Sequence, residues 1–339
     1  MSEAPLLAVE DLAVEFHLRD CIVRAVDGVS FAIAPREFVG LVGESGSGKS
    51  ITLLSILRLV PPPGRVSTGR VVFGGRDLLS LDRATMRQIR GNQIALIPAD
   101  AAASLNPVTR VGDQVLDGIH SHQPSTPPGE ARQRMLDMFR RVGLPLPEMR
   151  ARRYPHELSG GMQQRALIAS ALVLGPDLIL ADEPTTALDV TVGAQILRLL
   201  LSVRDQFGSA VVFVTHDLAS VAEICDRVLV MYAGRIVEAA PVRELFARPA
   251  HPYTRALIAS VPPLRRERPA ALKTIAGPPP DPRAWPPGCR FAERCELRAE
   301  LGDPERCTGE DPGLRPVASG HAVACHFAET QLQSSESNP

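Results

Sequence analysis

The octapeptide GESGSGKS at residues 43–50 limits the folds open to this chain more than any other feature. It lies between an apolar, strand-like run, EFVGLVG, and a segment with helical apolar spacing, KSITLLSILRLV. Glycines at such a turn let backbone N–H groups approach a phosphate, and the N-terminus of the following helix adds partial positive charge. The alternative, a flexible Gly-Ser turn, is disfavoured by the strand and helix on either side. The sequence therefore predicts a phosphate loop that binds a nucleotide.

Two residues of this loop have predicted roles in nucleotide chemistry. Lys49 is expected to reach the β- and γ-phosphates of ATP, and Ser50 to ligate Mg²⁺. The predicted nucleotide-binding residues of the loop are Gly43, Glu44, Ser45, Gly46, Ser47, Gly48, Lys49, Ser50 and Ile51.

A second apolar run, LILADE, ends in a pair of acids. Because parallel α/β sheets bind ligands beyond the carboxyl ends of their strands, Asp182 is expected to hold Mg²⁺ and Glu183 to polarise an attacking water. Two solvated acids at a strand end are the alternative, which the phosphate loop disfavours. Strand-like and helical patterns alternate through the first 240 residues, which predicts an α/β domain.

The stretch ELSGGMQQR, residues 157–165, offers a second place for an anion. Ser159 is a good N-cap, and the two glycines after it expose backbone N–H groups at the start of a helix. These residues resemble the signature LSGGQ of the ATP-binding-cassette (ABC) ATPases, which are P-loop NTPases. In that family the signature of one subunit closes over ATP held by the other, so the resemblance implies a homo- or heterodimer. The signature residues expected to face the partner's ATP are Ser159, Gly160, Gly161 and Gln163.

The resemblance extends to three further positions. The segment TTALDV is similar to the family's D-loop, which implies that Asp189 lies at the dimer contact. The segment VTHD is similar to its switch region, which implies a catalytic role for His216 beside Glu183. Phe16 occupies the position where the family stacks an aromatic ring on adenine; a half-buried strand residue is the equal alternative.

The segment IPADAAASLNP, residues 97–107, differs from the family pattern. Pro98 and Pro107 prevent a long helix, so a loop is expected. Relatives of the oligopeptide importers carry a glutamine here that contacts Mg²⁺ and the attacking water, and alignment on SLNP gives Ala99 at that position. Either Asp100 compensates, or this subunit forms the weaker of two unequal ATP sites.

The last hundred residues change character and become rich in proline. HPYTRALIASVP, residues 251–262, resembles the C-terminal extension of the oligopeptide, dipeptide and nickel importer ATPases. Four cysteines follow with the spacing C-x5-C-x11-C-x17-C: Cys289, Cys295, Cys307 and Cys325. Four thiolates suit a [4Fe–4S] cluster or Zn²⁺, and the family resemblance favours the cluster. His321 and His326 keep a mixed zinc site open, and four unligated thiols are the remaining alternative.

The composition and the sequence features argue against several other classes of protein. The formal net charge of −1 gives no strong attraction to nucleic acid. Soluble ABC ATPases that act on DNA or ribosomes usually carry a long coiled-coil insertion or two cassettes in one chain, and this sequence shows neither. No signal peptide is visible, and the apolar runs are too short to span a bilayer. The resemblance implies a peripheral protein on the cytoplasmic side of the cell membrane. Its implied partners are a second ATPase subunit, two transmembrane permeases and an extracytoplasmic substrate-binding protein.

The predicted fold is therefore an α/β, ABC-type nucleotide-binding domain over residues 1–240, with a helical subdomain over about 100–172. A C-terminal extension over 241–339 is expected to have little regular structure and a four-cysteine metal site. The predicted function is ATP binding and hydrolysis in a membrane importer of di- or oligopeptides. The alternatives are an importer of nickel or another small solute, and a degenerate regulatory ATP site paired with a catalytic partner.

Overall fold

The computed structural model describes residues 4–186, 188–260 and 275–336. Its strands are β1 (Leu7–His17), β2 (Ile22–Ile33), β3 (Phe38–Val42), β4 (Gly64–Phe73), β5 (Arg76–Asp77), β6 (Ile94–Ile97), β7 (Leu178–Asp182), β8 (Ala210–Thr215), β9 (Arg227–Tyr232), β10 (Arg235–Pro241), β11 (Arg315–Ala318) and β12 (His321–Val323). Its helices are α1 (Lys49–Ile56), α2 (Arg83–Ile89), α3 (Ala101–Ser104), α4 (Val111–His122), α5 (Pro128–Arg141), α6 (Pro147–Arg150), α7 (Gly160–Leu172), α8 (Val190–Phe207), α9 (Leu218–Ile224), α10 (Val242–Ala247), α11 (Pro252–Ala259), α12 (Glu296–Glu300), α13 (Arg306–Gly309) and α14 (Ala328–Glu336). Three residues of the motifs quoted above, Ala187, Val261 and Pro262, lie outside the described residues.

The chain divides into two compact units, each assembled from separate segments. The first unit takes in the residues up to Leu7, Ile33–Phe38 and Phe73–Thr215. The second unit takes in Ala8–Ala32, Val39–Val72 and the residues from His216 onward. The phosphate loop therefore belongs to the same unit as the C-terminal extension. The domain division predicted at residue 240 stays a prediction.

The first unit contains a parallel sheet in the order β6–β7–β8. Every residue of β8 is buried, as a continuous apolar run predicts for a strand covered on both faces. The register pairs Ala181 with Phe213 and Asp182 with Val214. The acid predicted from LILADE thus lies at the carboxyl end of its strand.

Helices α3 to α7 follow β6 within the first unit, in the range where the sequence predicts a helical lobe. The apolar spacing of α4 buries Val115 and Ile119, and that of α5 buries Met135 and Phe139. The segment predicted as a loop contains the single turn of α3, because the Asp100 side chain caps it by accepting a hydrogen bond from the N–H of Ala103 (3.0 Å).

The second unit contains two sheets. In one, β1 lies between β2 and β4. In the other, β9 lies between β3, to which it is parallel, and β10, to which it is antiparallel; β12 and then β11 continue it in antiparallel order. The C-terminal extension thus adds two strands to this sheet and has more regular structure than the sequence predicts.

A buried carboxylate anchors the extension to this sheet. Glu238 of β10 is fully buried and accepts hydrogen bonds from the N–H groups of Ala250 (2.7 Å) and His251 (3.0 Å). Its carboxylate also lies 2.7 Å from Nε2 of His321 in β12. Because an unpaired buried charge is costly, these contacts hold β10, β12 and the start of α11 together.

Candidate functional site

The phosphate loop connects β3 to α1 in the second unit, and its backbone requires glycine. Gly43, Gly46 and Gly48 all have positive φ angles, of 152°, 80° and 106°. A Cβ atom on Gly43 would lie 2.0 Å from the carbonyl oxygen of Met231, and one on Gly48 would lie 2.5 Å from that of Ala25. The glycines therefore let the loop pass close to neighbouring strands while its backbone forms a concave turn.

Lys49, the first residue of α1, points its side chain back into this turn. Its ammonium donates hydrogen bonds to the carbonyl oxygens of Gly43 (2.8 Å) and Glu44 (2.9 Å) and lies 3.5 Å from Oγ of Ser47. Lys49 is only 6% exposed. A buried cation at a helix N-terminus favours an anion beside it, so these residues fit the phosphates of a nucleotide. Ser50, the predicted Mg²⁺ ligand, is the next residue of α1 and is exposed.

The two predicted acids lie in the first unit, at the end of β7. Asp182 is its last residue, and Glu183 follows with a φ of 45°, a left-handed conformation that costs a non-glycine residue about 1–3 kcal/mol. The backbone N–H of Glu183 donates to the carbonyl oxygen of Val214 (2.9 Å), and its Oε2 accepts from Oγ1 of Thr186 (2.8 Å). The first contact holds the strained backbone, and the second orients the carboxylate. The role of Glu183 as the base stays a prediction.

The signature residues lie at the start of α7 in the first unit. Ser159 is the N-cap, as predicted, and its Oγ accepts from the N–H of Met162 (3.4 Å). A Cβ atom on Gly160 would meet no atom within 4 Å, so the helix start is open at that residue. The side chain of Gln163 is turned away from this opening, because its Nε2 donates to the carbonyl oxygens of Pro155 (2.8 Å) and Leu158 (3.3 Å).

The remaining residues that the resemblance singled out are exposed or half-buried. Asp189 is the N-cap of α8 and accepts from the N–H of Val192 (2.9 Å). His216 directly follows β8 and is exposed. Phe16 in β1 is half-buried, and its ring lies close to Gly64, where an added Cβ would be 2.6 Å away. The roles of all three stay predictions.

The predicted metal site in the C-terminal extension is contradicted by the structure. The four cysteines line one cavity of about 20 Å³. Within the described residues, however, no group of three or more His, Cys, Asp or Glu side chains is arranged to hold a metal ion. The four-cysteine site, with its [4Fe–4S] cluster or zinc, is therefore a wrong prediction.

The four thiols are shielded from solvent to different degrees, and this shielding changes their acidity. Burial raises the pKa of Cys289 to about 11 and that of Cys325 to about 12, and it also raises the pKa values of Cys295 and Cys307. These values describe the metal-free side chains, because a thiol that binds a metal gives up its proton to do so. The prediction fails on geometry: no three of the described His, Cys, Asp or Glu side chains form a group that could hold one ion. The spacing of the cysteines along the chain predicts their proximity but not the arrangement of their side chains.

Sequence reasoning missed the contacts of two residues, Tyr253 and Arg294, with Glu44 of the phosphate loop. Glu44, at its second position, donates its backbone N–H to Oη of Tyr253 (2.8 Å). Its carboxylate pairs with both terminal nitrogens of Arg294, at 2.8 Å and 3.0 Å. The HPY segment contains Tyr253, but no local pattern around Arg294 indicates a partner 250 residues away.

None of the helices in the described parts of the chain is long and apolar enough to cross a membrane.

The fold and the phosphate loop define an ATP-binding cassette. The ABC transporter family matches residues 26–186, and the C-terminal region of the oligopeptide/dipeptide transporters matches residues 237–300. A solved dimeric cassette, in a post-hydrolysis state with ADP and Pi, superposes with a TM-score of 0.64 at 29% identity. The match covers 70% of this chain and 99% of the solved cassette.

Relatives that match nearly the whole chain identify the branch of the ABC ATPases to which it belongs. A Sinorhizobium fredii protein described as "Probable peptide ABC transporter ATP-binding protein" is 50% identical over 94% of both chains. A Brucella abortus protein described as "Putative peptide import ATP-binding protein" is 46% identical over 96% of both chains. The chain belongs to the family of peptide ABC transporter ATP-binding proteins. Its predicted ATPase activity, and its predicted function as the ATP-binding subunit of a peptide importer, are confirmed at this level.

Proposed function

We propose that this chain binds ATP at its phosphate loop, with Lys49 contacting the phosphates, and uses hydrolysis to drive the import of di- or oligopeptides. The observation that carries the proposal is the position of Lys49: its ammonium is buried inside the glycine turn, 2.8 Å and 2.9 Å from two carbonyl oxygens of the loop. A phosphate entering the turn gains a charge partner that the protein has already desolvated.

Ser50 and Asp182 are the residues that would hold Mg²⁺, because a hydroxyl and a carboxylate are the oxygen ligands this ion takes in nucleotide sites. The ion supplies charge neutralisation on the phosphates when it is bound. Glu183 would act on the attacking water through a carboxylate that the Thr186 hydroxyl orients at 2.8 Å. His216 would contact the γ-phosphate, as the family resemblance implies.

We further propose that two ATPase subunits form the working unit. The open start of α7 at Gly160, together with the Ser159 cap, suits an anion carried by another subunit. The likeness to a dimeric cassette with ADP and Pi supports the same arrangement. Asp189, exposed at the start of α8, would lie at the dimer contact. The second subunit is either a copy of this chain or a related ATPase.

In this proposal the dimer lies on the cytoplasmic side of the cell membrane, against two permease subunits that an extracytoplasmic binding protein supplies. ATP binding closes the dimer and hydrolysis reopens it. Family membership supports this assembly, since the C-terminal region typical of oligopeptide/dipeptide transporters is present.

One observation favours a second candidate, an ATP site of reduced activity. Ala99 has no carboxamide, and the neighbouring Asp100 carboxylate already accepts a hydrogen bond from Ala103 as the cap of α3. Upstream, Oε1 of Gln93 accepts from Arg76 (2.8 Å). Neither side chain is set up to replace the missing glutamine, which favours a site weaker than that of a glutamine-bearing partner.

The substrate is tested with the assembled transporter in proteoliposomes. Binding protein loaded with a di- or oligopeptide mixture should stimulate ATP hydrolysis and peptide uptake together, and Lys49→Ala should abolish both. Nickel given in place of peptide tests the small-solute alternative. Stimulation by nickel but not by peptides would overturn the peptide proposal while leaving the ATPase assignment intact.

A further inference from the structure

We propose that Tyr253 and Arg294, both in the C-terminal extension, are positioning residues that hold the phosphate loop in its ATP-binding shape. The inference rests on the proposed role of this loop in ATP binding. It assigns the extension a part in nucleotide affinity.

The first step concerns one peptide bond. The peptide between Gly43 and Glu44 is planar, so its C=O and N–H groups point in opposite directions. On one side the N–H of Glu44 donates to Oη of Tyr253 (2.8 Å). On the other the carbonyl oxygen of Gly43 accepts from the ammonium of Lys49 (2.8 Å). Tyr253 therefore fixes the orientation of this peptide plane. The Gly43 carbonyl oxygen, on the opposite side of the plane, then positions the ammonium of Lys49, which is proposed to contact the phosphates.

The second step concerns charge. The Glu44 carboxylate belongs to the phosphate loop, where an uncompensated negative charge would repel the phosphates of ATP. Arg294 compensates it through a fork of two hydrogen bonds, at 2.8 Å and 3.0 Å. The side chain of Arg294 is 6% exposed and that of Glu44 is 29% exposed, so solvent screens the pair only in part.

The third step concerns rigidity, because a positioning residue must itself be held. Nε of Arg294 donates to the carbonyl oxygen of Ala276 (2.9 Å), and Nη1 also donates to Oη of Tyr232 (3.1 Å). The rings of Tyr232, Tyr253 and Phe291 pack together, with centroids 4.5 Å, 5.3 Å and 5.5 Å apart. The guanidinium lies 5.7 Å and 5.8 Å from the rings of Tyr232 and Phe291. The extension thus presents both groups to Glu44 from a packed aromatic cluster.

The test measures ATP affinity and steady-state hydrolysis with the full-length protein. Tyr253→Phe keeps the ring and removes only the hydroxyl acceptor, so we expect KM for ATP to rise about threefold with little change in kcat. Arg294→Ala leaves Glu44 uncompensated, so we expect the Kd for ATP to rise on the order of tenfold. Adding Glu44→Gln to Arg294→Ala should restore most of the affinity, because the repelling charge is gone.

A matched control separates positioning from the folding of the extension. Arg315 forms a similar two-pronged pair with Glu329, at 2.6 Å and 2.8 Å, and its third hydrogen bond goes to the carbonyl oxygen of Cys325 (3.2 Å). Among the residues that the structure describes, its hydrogen bonds therefore do not extend to the phosphate loop. Arg315→Ala should leave the affinity for ATP unchanged. Equal losses in Arg315→Ala and Arg294→Ala, or no recovery in the double variant, would overturn the proposal.

The outcome also distinguishes this inference from the function on which it rests. Lys49→Ala tests the phosphate loop itself. If Lys49→Ala weakens ATP binding while Tyr253→Phe and Arg294→Ala bind ATP as the wild type does, only the positioning role fails. If Lys49→Ala binds ATP normally, the assignment of the loop fails, and the inference fails with it.

Discussion

The guanidinium of Arg294 forms a two-pronged ion pair with the carboxylate of Glu44, with N–O distances of 2.8 Å and 3.0 Å across 250 positions of sequence. The hydrogen bonds to Glu44 raise the pKa of the Arg294 guanidinium. The pair connects the C-terminal extension to the phosphate loop, so substitutions at this contact in the extension are expected to change the affinity for ATP.

Glu183→Gln should leave ATP binding nearly unchanged and lower the ATPase rate by about 10²–10⁴-fold, the usual contribution of one general base. The carboxamide keeps the size of the side chain but cannot take a proton. ATP should therefore trap a closed dimer, seen as a stable increase in mass by size-exclusion chromatography. Glu130→Gln, at an exposed position of α5, is the matched control. A normal hydrolysis rate in Glu183→Gln would show that another group is the base.

Ala99→Gln should raise the ATPase rate of this site, because it restores a carboxamide to the position where relatives have one. The gain should be roughly 10- to 100-fold at most, comparable with one positioning or acid–base contact. The rate is measured with the partner's own site disabled. Ala102→Gln, an exposed substitution in the same turn of α3, should have no effect. A rate unchanged by Ala99→Gln would favour either compensation by Asp100 or a non-catalytic role for this site.

Acid should destabilise the second unit through His251. Burial lowers the pKa of this imidazole to about 4, against an opposing effect of Glu238 and a backbone hydrogen bond with Ala324. Its Nδ1 accepts from the N–H of Tyr253 (3.0 Å), which requires the neutral ring. Between pH 6.5 and 4 the imidazole is protonated more readily in the unfolded chain than in the folded protein. The contribution of His251 to the free energy of unfolding is therefore present at pH 7 and decreases as the pH falls.

The loss is on the order of 3 kcal/mol by pH 4. It is measured as the free energy of unfolding by denaturant at several pH values. Asparagine can also accept a hydrogen bond at a helix N-cap but does not titrate. His251→Asn should therefore flatten this part of the pH profile. The same slope in wild type and variant would exclude His251 as its source.

Alkali should destabilise the second unit through the buried thiols. Burial raises the pKa of Cys289 to about 11 and of Cys325 to about 12, above the ordinary value of 9.0. Their contribution to the free energy of unfolding is fully present below pH 9. It is lost as the pH rises further, because the thiols ionise in the unfolded chain at a lower pH than in the folded protein. By pH 10 we expect a loss of about 1 kcal/mol for each thiol, measured under reducing conditions. Unfolding free energies that do not change between pH 8 and pH 10 would contradict the burial of these groups as thiols.

The sequence was sufficient for features that depend on neighbouring residues. The glycines and Lys49 of the phosphate loop were predictable because a strand, a turn and a helix specify that geometry locally. The Ser159 cap and the position of Asp182 at a strand end follow from the same kind of local pattern. Residues 101–104 were predicted as a loop, because the prolines outweighed the Asp100 cap that closes one helical turn.

The remainder depends on contacts between distant segments, which leave no local pattern. Nothing beside Arg294 indicates Glu44, and nothing beside His321 indicates Glu238. The four cysteines illustrate a different limit. Their spacing is compatible with a metal site, but ligation needs at least three side chains arranged around one ion, and spacing along the chain does not specify that arrangement.

The affinity of Lys49→Ala for ATP, measured by equilibrium binding with the full-length protein, tests most directly whether the phosphate loop binds the nucleotide. We expect the Kd to rise roughly 10- to 100-fold, because the phosphates lose a desolvated, charge-assisted partner. We also expect hydrolysis to be lost in the assembled transporter. ATP binding and peptide-stimulated hydrolysis at wild-type levels in Lys49→Ala would contradict the role of Lys49 in an ATP-driven importer.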